Sequence, residues 1–437
     1  STASGSEIVL KTSTAEKENP ELPTVSDIWK TANLNEREAY DFFGIRFVGH
    51  PDMRRLYLRS DWVGFPLRKD YDASPEINPI RLESEPMTDS VPTLVEKDGR
   101  IEAGENVLFD DSEYVVNIGP QHPATHGVLH FRVSLEGEII KKVDPHCGYI
   151  HRGIEKMCES LTYPQMLALT DRLDYLSAHQ NRHALCMCIE RAMGIEVPER
   201  AQYIRTIMDE LQRLSSHLLF WSTFCMDLGA LTAFFYGFRD RELILDMLEE
   251  TTGGRLIQNY NVIGGVMADI HPDLVGRIKK FIAYLPGMLK EYDEVFTGNV
   301  IAQQRMKGIG ILSKEDAISY GVTGPSGRAS GWSCDVRKLH PYGVYDRVEF
   351  KECDYAVKTK PIIRVPEGAY WASVEASRGE FGVYLESRGD KMPYRVKFRS
   401  TGLPLVNVVD TLSRGNKIAD LIAIGGSLDY VVPDIDR

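Results

Sequence analysis

Between residues 154 and 306, apolar positions return every three or four residues, which is the period of amphipathic helices. MLALTDRLDYLSAHQNRHALCMCIERAMG carries this pattern and stops at Gly194. PERAQYIRTIMDELQRLSSHLLFWSTF opens on a Pro-Glu first turn and predicts a long helix. RDRELILDMLEETTG and PDLVGRIKKFIAYLPGMLKEYDEVF predict two more. Outside this region the period changes. Residues 114–118 and 129–135 predict strands, with the turn-rich GPQHPATHG between them. After Gly308 come glycine-rich loops and short strands, then PYRVKFRS as a strand and ADLIAIGGSLDYVV as a final helix or strand. Residues 1–30 are polar and predict a loose lead-in, and residues 31–71 carry a compact pattern. Residues 72–112 are rich in proline and acidic residues and read as a linker, which places a boundary there.

One segment departs from amphipathic patterning. Leu218–Gly237, LLFWSTFCMDLGALTAFFYG, has a single charge, Asp227, in twenty residues. Its length approaches that of a spanning helix. A carboxylate at mid-bilayer is costly, and charged helices flank both ends. The expectation is a buried core segment with Asp227 turned towards something polar.

Composition narrows the class. The 437 residues allow two or three domains, and 43% hydrophobic with 26% charged residues is ordinary for a globular protein. A net charge of −12 makes nucleic acid a poor partner. The first residues lack a charged-then-apolar leader pattern; with Ser1 rather than Met first, the natural start is expected further upstream. Seven scattered cysteines without a C-x-x-C predict a reducing compartment. Cys186 and Cys188, the one close pair, read as small core residues.

Several constellations carry polar chemistry. His122 and His126 stand four apart, as in a helical zinc site, but Pro123, Gly119 and Gly127 predict a loop, and no glutamate lies between them. That reading leaves a turn whose histidines satisfy backbone groups, or an acid/base site. Arg172, Tyr175, His179 and Arg182 fall on one predicted helical face, with Asp174 beside Tyr175; the face is either solvated or presents Tyr175 as a proton donor. Glu210, Arg213 and His217 share another face that leads into the apolar run, for ion pairing or for a place beside a redox centre. Arg152 precedes a helix start and could reach an anion.

Together GPQHPATHGVLHF, GYIHRGIEK, DRLDY, ELQRLSSHLLF, DLGALTAFFYGFRDRE and SLDYVVPDIDR resemble the D subunit of respiratory complex I, the proton-pumping NADH:quinone oxidoreductase. NEREAYDFFGIRFVGHPDMRRLYL…WVGFPLRKDY resembles the end of its C subunit. Both in one chain resemble the fused C/D subunit of some bacteria, from about residue 22 to residue 437. The resemblance implies a mainly α fold with small β regions. It has a hydrogenase-large-subunit-like helical core with N- and C-terminal β elements, preceded by the tail of an α/β C-subunit domain. The implied divisions are residues 1–71 as C-like tail, 72–112 as linker and 113–437 as quinone-site domain.

By resemblance, His126 and Tyr175 bind the quinone headgroup and Asp227 pairs with the histidine. Arg152 and His217 lie near an iron–sulfur cluster of the adjoining B subunit, and His122, Arg172 and Asp174 line the same cavity. Glu36, Arg37, Asp41, His50, Pro51 and Arg54 are packing and interface residues. Quinone (ubiquinone or menaquinone) is the implied substrate, and no metal or cluster is held by this chain. The implied partners are the B and I iron–sulfur subunits, the H subunit of the membrane arm and other complex I subunits, at the cytoplasmic face of the bacterial inner membrane. A hydrogenase-like metal enzyme, whose fold the family shares, would need two C-x-x-C pairs that are absent. An assembly scaffold is the third reading. The sequence departs from the family in the short span between Asp346 and Pro366, where members carry a helical segment; ECDYAVKTKPIIRV reads as an abrupt join.

Overall fold

The computed structural model describes residues 10–14, 16–79, 87–346 and 363–437. The expected loose lead-in supplies a strand, β1 (Glu21–Pro23), parallel to β2 (Arg46–Val48). Between them lies α1 (Ala32–Phe43), ended by Gly44 in the left-handed region. Asp41, fully buried near the end of α1, organises the loop that follows β2. Its carboxylate accepts the backbone N–H groups of Leu56, Tyr57 and Leu58 at 3.1, 2.8 and 3.0 Å. The Arg55 guanidinium donates to the same carboxylate at 2.9 Å. Four donors on one anion compensate the cost of burying it.

The stretch 72–112 differs from the linker reading. Within it β3 (Ser90–Lys97) and β4 (Arg100–Val107) form an antiparallel hairpin, turned at Asp98 and Gly99 with φ of 50° and 73°. A D-G turn between β-branched residues at alternating positions outweighed the acidic composition. The expected boundary is also bridged. Leu34, Phe42, Leu56, Tyr57 and Leu67 share one apolar core with Phe131, Val133 and Ile140 from beyond it. Arg54 reaches across to Asp144 with two hydrogen bonds of 2.8 and 3.1 Å.

That core lies under a three-stranded antiparallel sheet: β5 (Tyr114–Ile118), β6 (His130–Glu136) and β7 (Ile139–His146), with β6 central. The helical region follows as α2 (Ile154–Cys158), α3 (Tyr163–Thr170), α4 (Ala178–Met193), α5 (Glu199–Asp227), α6 (Leu231–Thr252) and α7 (Leu274–Tyr292). A small hairpin, β8 (Asn261–Val262) and β9 (Gly265–Val266), separates the last two. The helix predicted to run unbroken to Gly194 is two helices joined by a buried turn at residues 171–177. Arg172, Tyr175, His179 and Arg182 therefore do not share a helical face. The apolar run 218–237 is likewise divided. α5 ends at Asp227, Gly229 turns the chain at φ 87°, and α6 packs back against α5. Its burial is partial, since Leu231 and Phe235 are exposed. Among the described residues no helix is long and apolar enough to cross a membrane.

A second antiparallel sheet, β10 (Gly368–Ala376), β11 (Gly379–Ser387) and β12 (Arg395–Arg399), covers α4. Phe381 and Phe398 stack between its strands, and Cys186 and Cys188 belong to the same core as expected. The architecture is thus mixed, helices with five small sheets among the described residues. The abrupt join expected between Asp346 and Pro366 falls mostly outside the described residues.

Replacing Asp41 with Leu leaves the amides of Leu56, Tyr57 and Leu58 without their acceptor and the Arg55 guanidinium with carbonyl acceptors only. The expected loss is about 3–5 kcal/mol, read as a lowered denaturant midpoint and proteolytic cleavage first near residues 55–58.

Candidate functional site

The loop GPQHPATHG is closed by Thr125, whose hydroxyl lies 2.8 Å from the carbonyl oxygens of both His122 and Gly127. Residues 123–125 make one 3-10 turn. The chain then reverses through His126, which adopts φ 53°, a conformation that costs an L-residue roughly 1–2 kcal/mol. Gly127 follows at φ 148°, where a β-carbon would stand 2.6 Å from a Val432 methyl. The loop is therefore pressed against the C-terminal segment, and the strain falls on the residue that faces α5. His126 Nε2 meets Asp227 Oδ2 at 2.5 Å, with the carboxylate 4% exposed. Gly426, in the helix Ile418–Leu428, permits this approach: a β-carbon there would lie 3.0 Å from the same Oδ2. The lone charge of the apolar run thus has its polar partner. His122 diverges from His126; it is exposed, and its backbone forms an isolated bridge with Gly127.

Tyr175 lies in the buried turn between α3 and α4. Asp174, before it, has its carbonyl bound by Asn181 Nδ2 at 3.1 Å, and the carbonyl of Leu176, after it, is bound by Gln212 Nε2 at 3.0 Å. Among the described residues the Tyr175 hydroxyl makes no hydrogen bond. Burial, and then the neighbouring Asp174 charge, push the phenol above its ordinary value, so it stays protonated near neutral pH.

Sequence reasoning missed the residues between these two ligand candidates. Arg378, at the turn from β10 to β11, is almost fully buried. It donates to Asp174 Oδ2 at 3.0 Å, Asp429 Oδ1 at 2.9 Å, the Asp429 carbonyl at 2.6 Å and Ser216 Oγ at 3.1 Å. Asp429 caps the helix 418–428 at φ 56°. Burial pushes its carboxyl up to about 6 against the opposing pull of Arg378, and the charges of Asp174 and His126 both act on it. Tyr430, next along, places its ring 6.4 Å from that of His126. The only signals in the sequence were an arginine between two strand-like segments and an aspartate after an apolar helix.

The remaining candidates separate into two groups. Arg152 Nη2 donates to the Arg172 carbonyl at 2.9 Å, and both guanidiniums belong to exposed residues, giving one positive edge. Burial and the Arg172 charge lower the Arg152 pKa. His217, on α5, is held down to about 4 by burial and by Arg213, so in this chain it is neutral at pH 7. Arg213 pairs with Glu210 at 3.1 Å and donates to the carbonyls of Ala376 and Glu375 at 2.8 and 2.6 Å, which makes this pair structural. Among the described residues no group of three or more His, Cys, Asp or Glu is arranged to hold a metal ion.

Comparisons with known proteins identify the family. Residues 227–360 and 354–437 match the family model of the 49 kDa subunit of respiratory-chain NADH dehydrogenase, and residues 1–76 match that of the 30 kDa subunit. The C/D subunit of the NADH-quinone oxidoreductase of Phocaeicola vulgatus is 67% identical over 98% of this chain and 89% of its own length. The second of two C/D subunits of the Aquifex aeolicus oxidoreductase is 37% identical over 95% and 84%. The D subunit of the Geobacillus kaustophilus oxidoreductase is 41% identical over 76% of this chain and all of its own. These matches define a component of a respiratory oxidoreductase in which a 30 kDa-type and a 49 kDa-type region share one chain. The chain belongs to the fused C/D-subunit family of complex I, the NADH-quinone oxidoreductase, and is its quinone-site subunit. The 49 kDa match is broken at 354–360, and the Phocaeicola alignment spans 466 positions, so that relative carries residues without a counterpart here.

The depressed His217 has a stability consequence. Unfolded, its imidazole takes up a proton near its ordinary 6.5; folded, it does so only near 4. Its contribution is present above 6.5 and lost as pH falls towards 4. His217→Gln is expected to lose less stability than the parent chain between pH 7 and 5, measured by denaturant midpoints.

Proposed function

We propose that His126 and Tyr175 hold the two carbonyl oxygens of a quinone headgroup and donate the protons that accompany its reduction. The carrying observation is the pairing of His126 with Asp227, a hundred residues away in sequence and 2.5 Å away in space. With Nε2 engaged by Asp227, the other ring nitrogen is free to face substrate. When the imidazole is protonated, Nδ1 carries a hydrogen that it can give to a quinone oxygen while Asp227 balances the ring's charge. Tyr175, protonated and with no partner for its hydroxyl among the described residues, supplies the second donor. Two electrons and two protons convert quinone to quinol. The hydrogen bonds from both donors strengthen as negative charge builds on the oxygens.

In this reading the electrons come from an iron–sulfur cluster of the B subunit, beside the positive edge of Arg152 and Arg172. Positive charge there stabilises the reduced cluster. His122 and Asp174 line or support the cavity. The I subunit and the H subunit of the membrane arm are the further partners, and the chain sits peripherally on the cytoplasmic face of the inner membrane. Ubiquinone and menaquinone share the two-carbonyl headgroup that this site requires. The fold proposed for residues 113–437 is that of the hydrogenase large subunit, shortened near 350–365 and without the C-x-x-C pairs that hold metals there; this chain's C-terminal segment is held by hydrogen bonds and an ion pair instead. Asp436 there accepts the backbone N–H groups of Gly148 and Ile150, and Arg437 donates to Glu38 at 2.7 Å.

Tyr175→Phe in the assembled complex is expected to lower quinone turnover tenfold or more while the iron–sulfur cluster is still reduced. Asp227→Asn keeps the hydrogen bond but removes the counter-charge, and is expected to shift the pH optimum as well as lower the rate. Normal quinone turnover in an assembled Tyr175→Phe complex would sink the assignment. Nickel in the purified chain would point instead to a hydrogenase-like enzyme, and failure of the complex to bind a quinone-site inhibitor would point to a scaffold.

A further inference from the structure

The two proposed ligands come from separate parts of the chain, and a single side chain binds elements adjacent to both. We propose that Arg378 is a positioning residue that sets the spacing between Tyr175 and His126; this rests on the reading of those two as quinone ligands.

The argument is geometric. Tyr175 has few means of being fixed through its own hydroxyl, so its position is set by the backbone on either side. Asn181 and Gln212 hold the carbonyls of residues 174 and 176. Arg378 holds the Asp174 side chain at 3.0 Å. On the other side, Arg378 takes both the side chain and the carbonyl of Asp429, at 2.9 and 2.6 Å. Asp429 leads into Tyr430, against the His126 ring, and into Val432, against Gly127 of the His126 loop. A third contact, to Ser216 Oγ at 3.1 Å, anchors the guanidinium to α5, the helix that carries Asp227 at its end. The turn bearing Tyr175, the helix bearing Asp227 and the segment against which the His126 loop packs are therefore bound to one planar fork. A guanidinium is suited to this, because its donors are fixed in one plane and cannot swing independently. The guanidinium and the Asp174 carboxylate are nearly inaccessible to solvent, so neither can exchange the other for water without a large cost.

The same geometry gives a signature that a merely structural arginine would not. Asp429 is faced by Arg378, Asp174 and His126. Of these, Arg378 and His126 favour its ionised form and Asp174 opposes it. Removing the guanidinium leaves Asp174 and Asp429 facing each other, and the Asp429 carboxyl then holds its proton to higher pH. The field at His126 changes with it.

The test uses Arg378→Gln and Arg378→Lys in the assembled complex, measured per assembled complex beside Tyr175→Phe. Arg378→Gln is expected to raise the quinone KM about tenfold and move the acid limb of the rate profile to higher pH, with cluster reduction retained. Arg378→Lys restores a charge but binds one carboxylate at a time. It is expected to recover the pH profile and only part of the KM. If Arg378→Gln fails to assemble, the Lys variant carries the test: an unchanged KM overturns the proposal. Arg378→Gln complexes with lower abundance but unaltered KM and pH profile would also overturn it, by showing a structural role only. If Tyr175→Phe retains normal turnover, the ligand reading itself fails. If Tyr175→Phe is impaired while both Arg378 variants behave as the parent, the positioning role alone fails.

Discussion

A guanidinium buried between two carboxylates imposes a constraint that the rest of this structure obeys. Arg378 is 3% exposed, and Asp174, which it binds, is 1% exposed. Charges at such depth persist only when each has a full set of partners. The turn between α3 and α4, the turn between β10 and β11, the end of the helix 418–428 and the middle of α5 must all meet at one point. The meeting holds four distant parts of the chain in register, and the loop bearing His126 packs against the outcome. Had any of the four been displaced by an ångström, the arginine would have lost an acceptor that water cannot replace.

The N-terminal region is attached by the same physics. Asp41 gathers the loop 55–58, Arg54 binds Asp144, and Glu38 receives Arg437, which also reaches Glu155. Burial and then Arg437 and Lys397 compete over Glu38, and the cations win, holding its carboxyl down to about 2. Apolar residues from 34, 42, 56, 57 and 67 fill the core beneath the first sheet. The 30 kDa-type region is thus not an appendage but one wall of the core beneath the first sheet.

Much of this was legible in the sequence. The long helix α5, the strands β5 and β6, the cap at Gly194 and the loop character of GPQHPATHG follow from period, turn residues and proline. Asp227 announced itself as a lone charge in an apolar run, and it did need a partner. The failures have a common cause. The turn at 171–177 reads as helix because its apolar positions keep the helical period of the flanking segments; what holds it as a turn is tertiary, the capture of Asp174 by an arginine two hundred residues away. The hairpin at 90–107 reads as linker because composition averages over alternation. Arg378 and Asp429 carry only weak local signals, since their meaning lies in each other.

The shared core of the two regions bears on how such an enzyme is built. When the tail and the domain are separate polypeptides, their encounter depends on how much of each a cell makes. On one chain, the tail is present near its docking face at an effective concentration in the millimolar range or above. Docking becomes a first-order step that finishes with the folding of the domain, and the two regions are produced in a strict one-to-one ratio. A buried ion pair such as Glu38 with Arg437 is then never exposed to a wait for its partner. The covalent join turns an assembly problem into a folding problem.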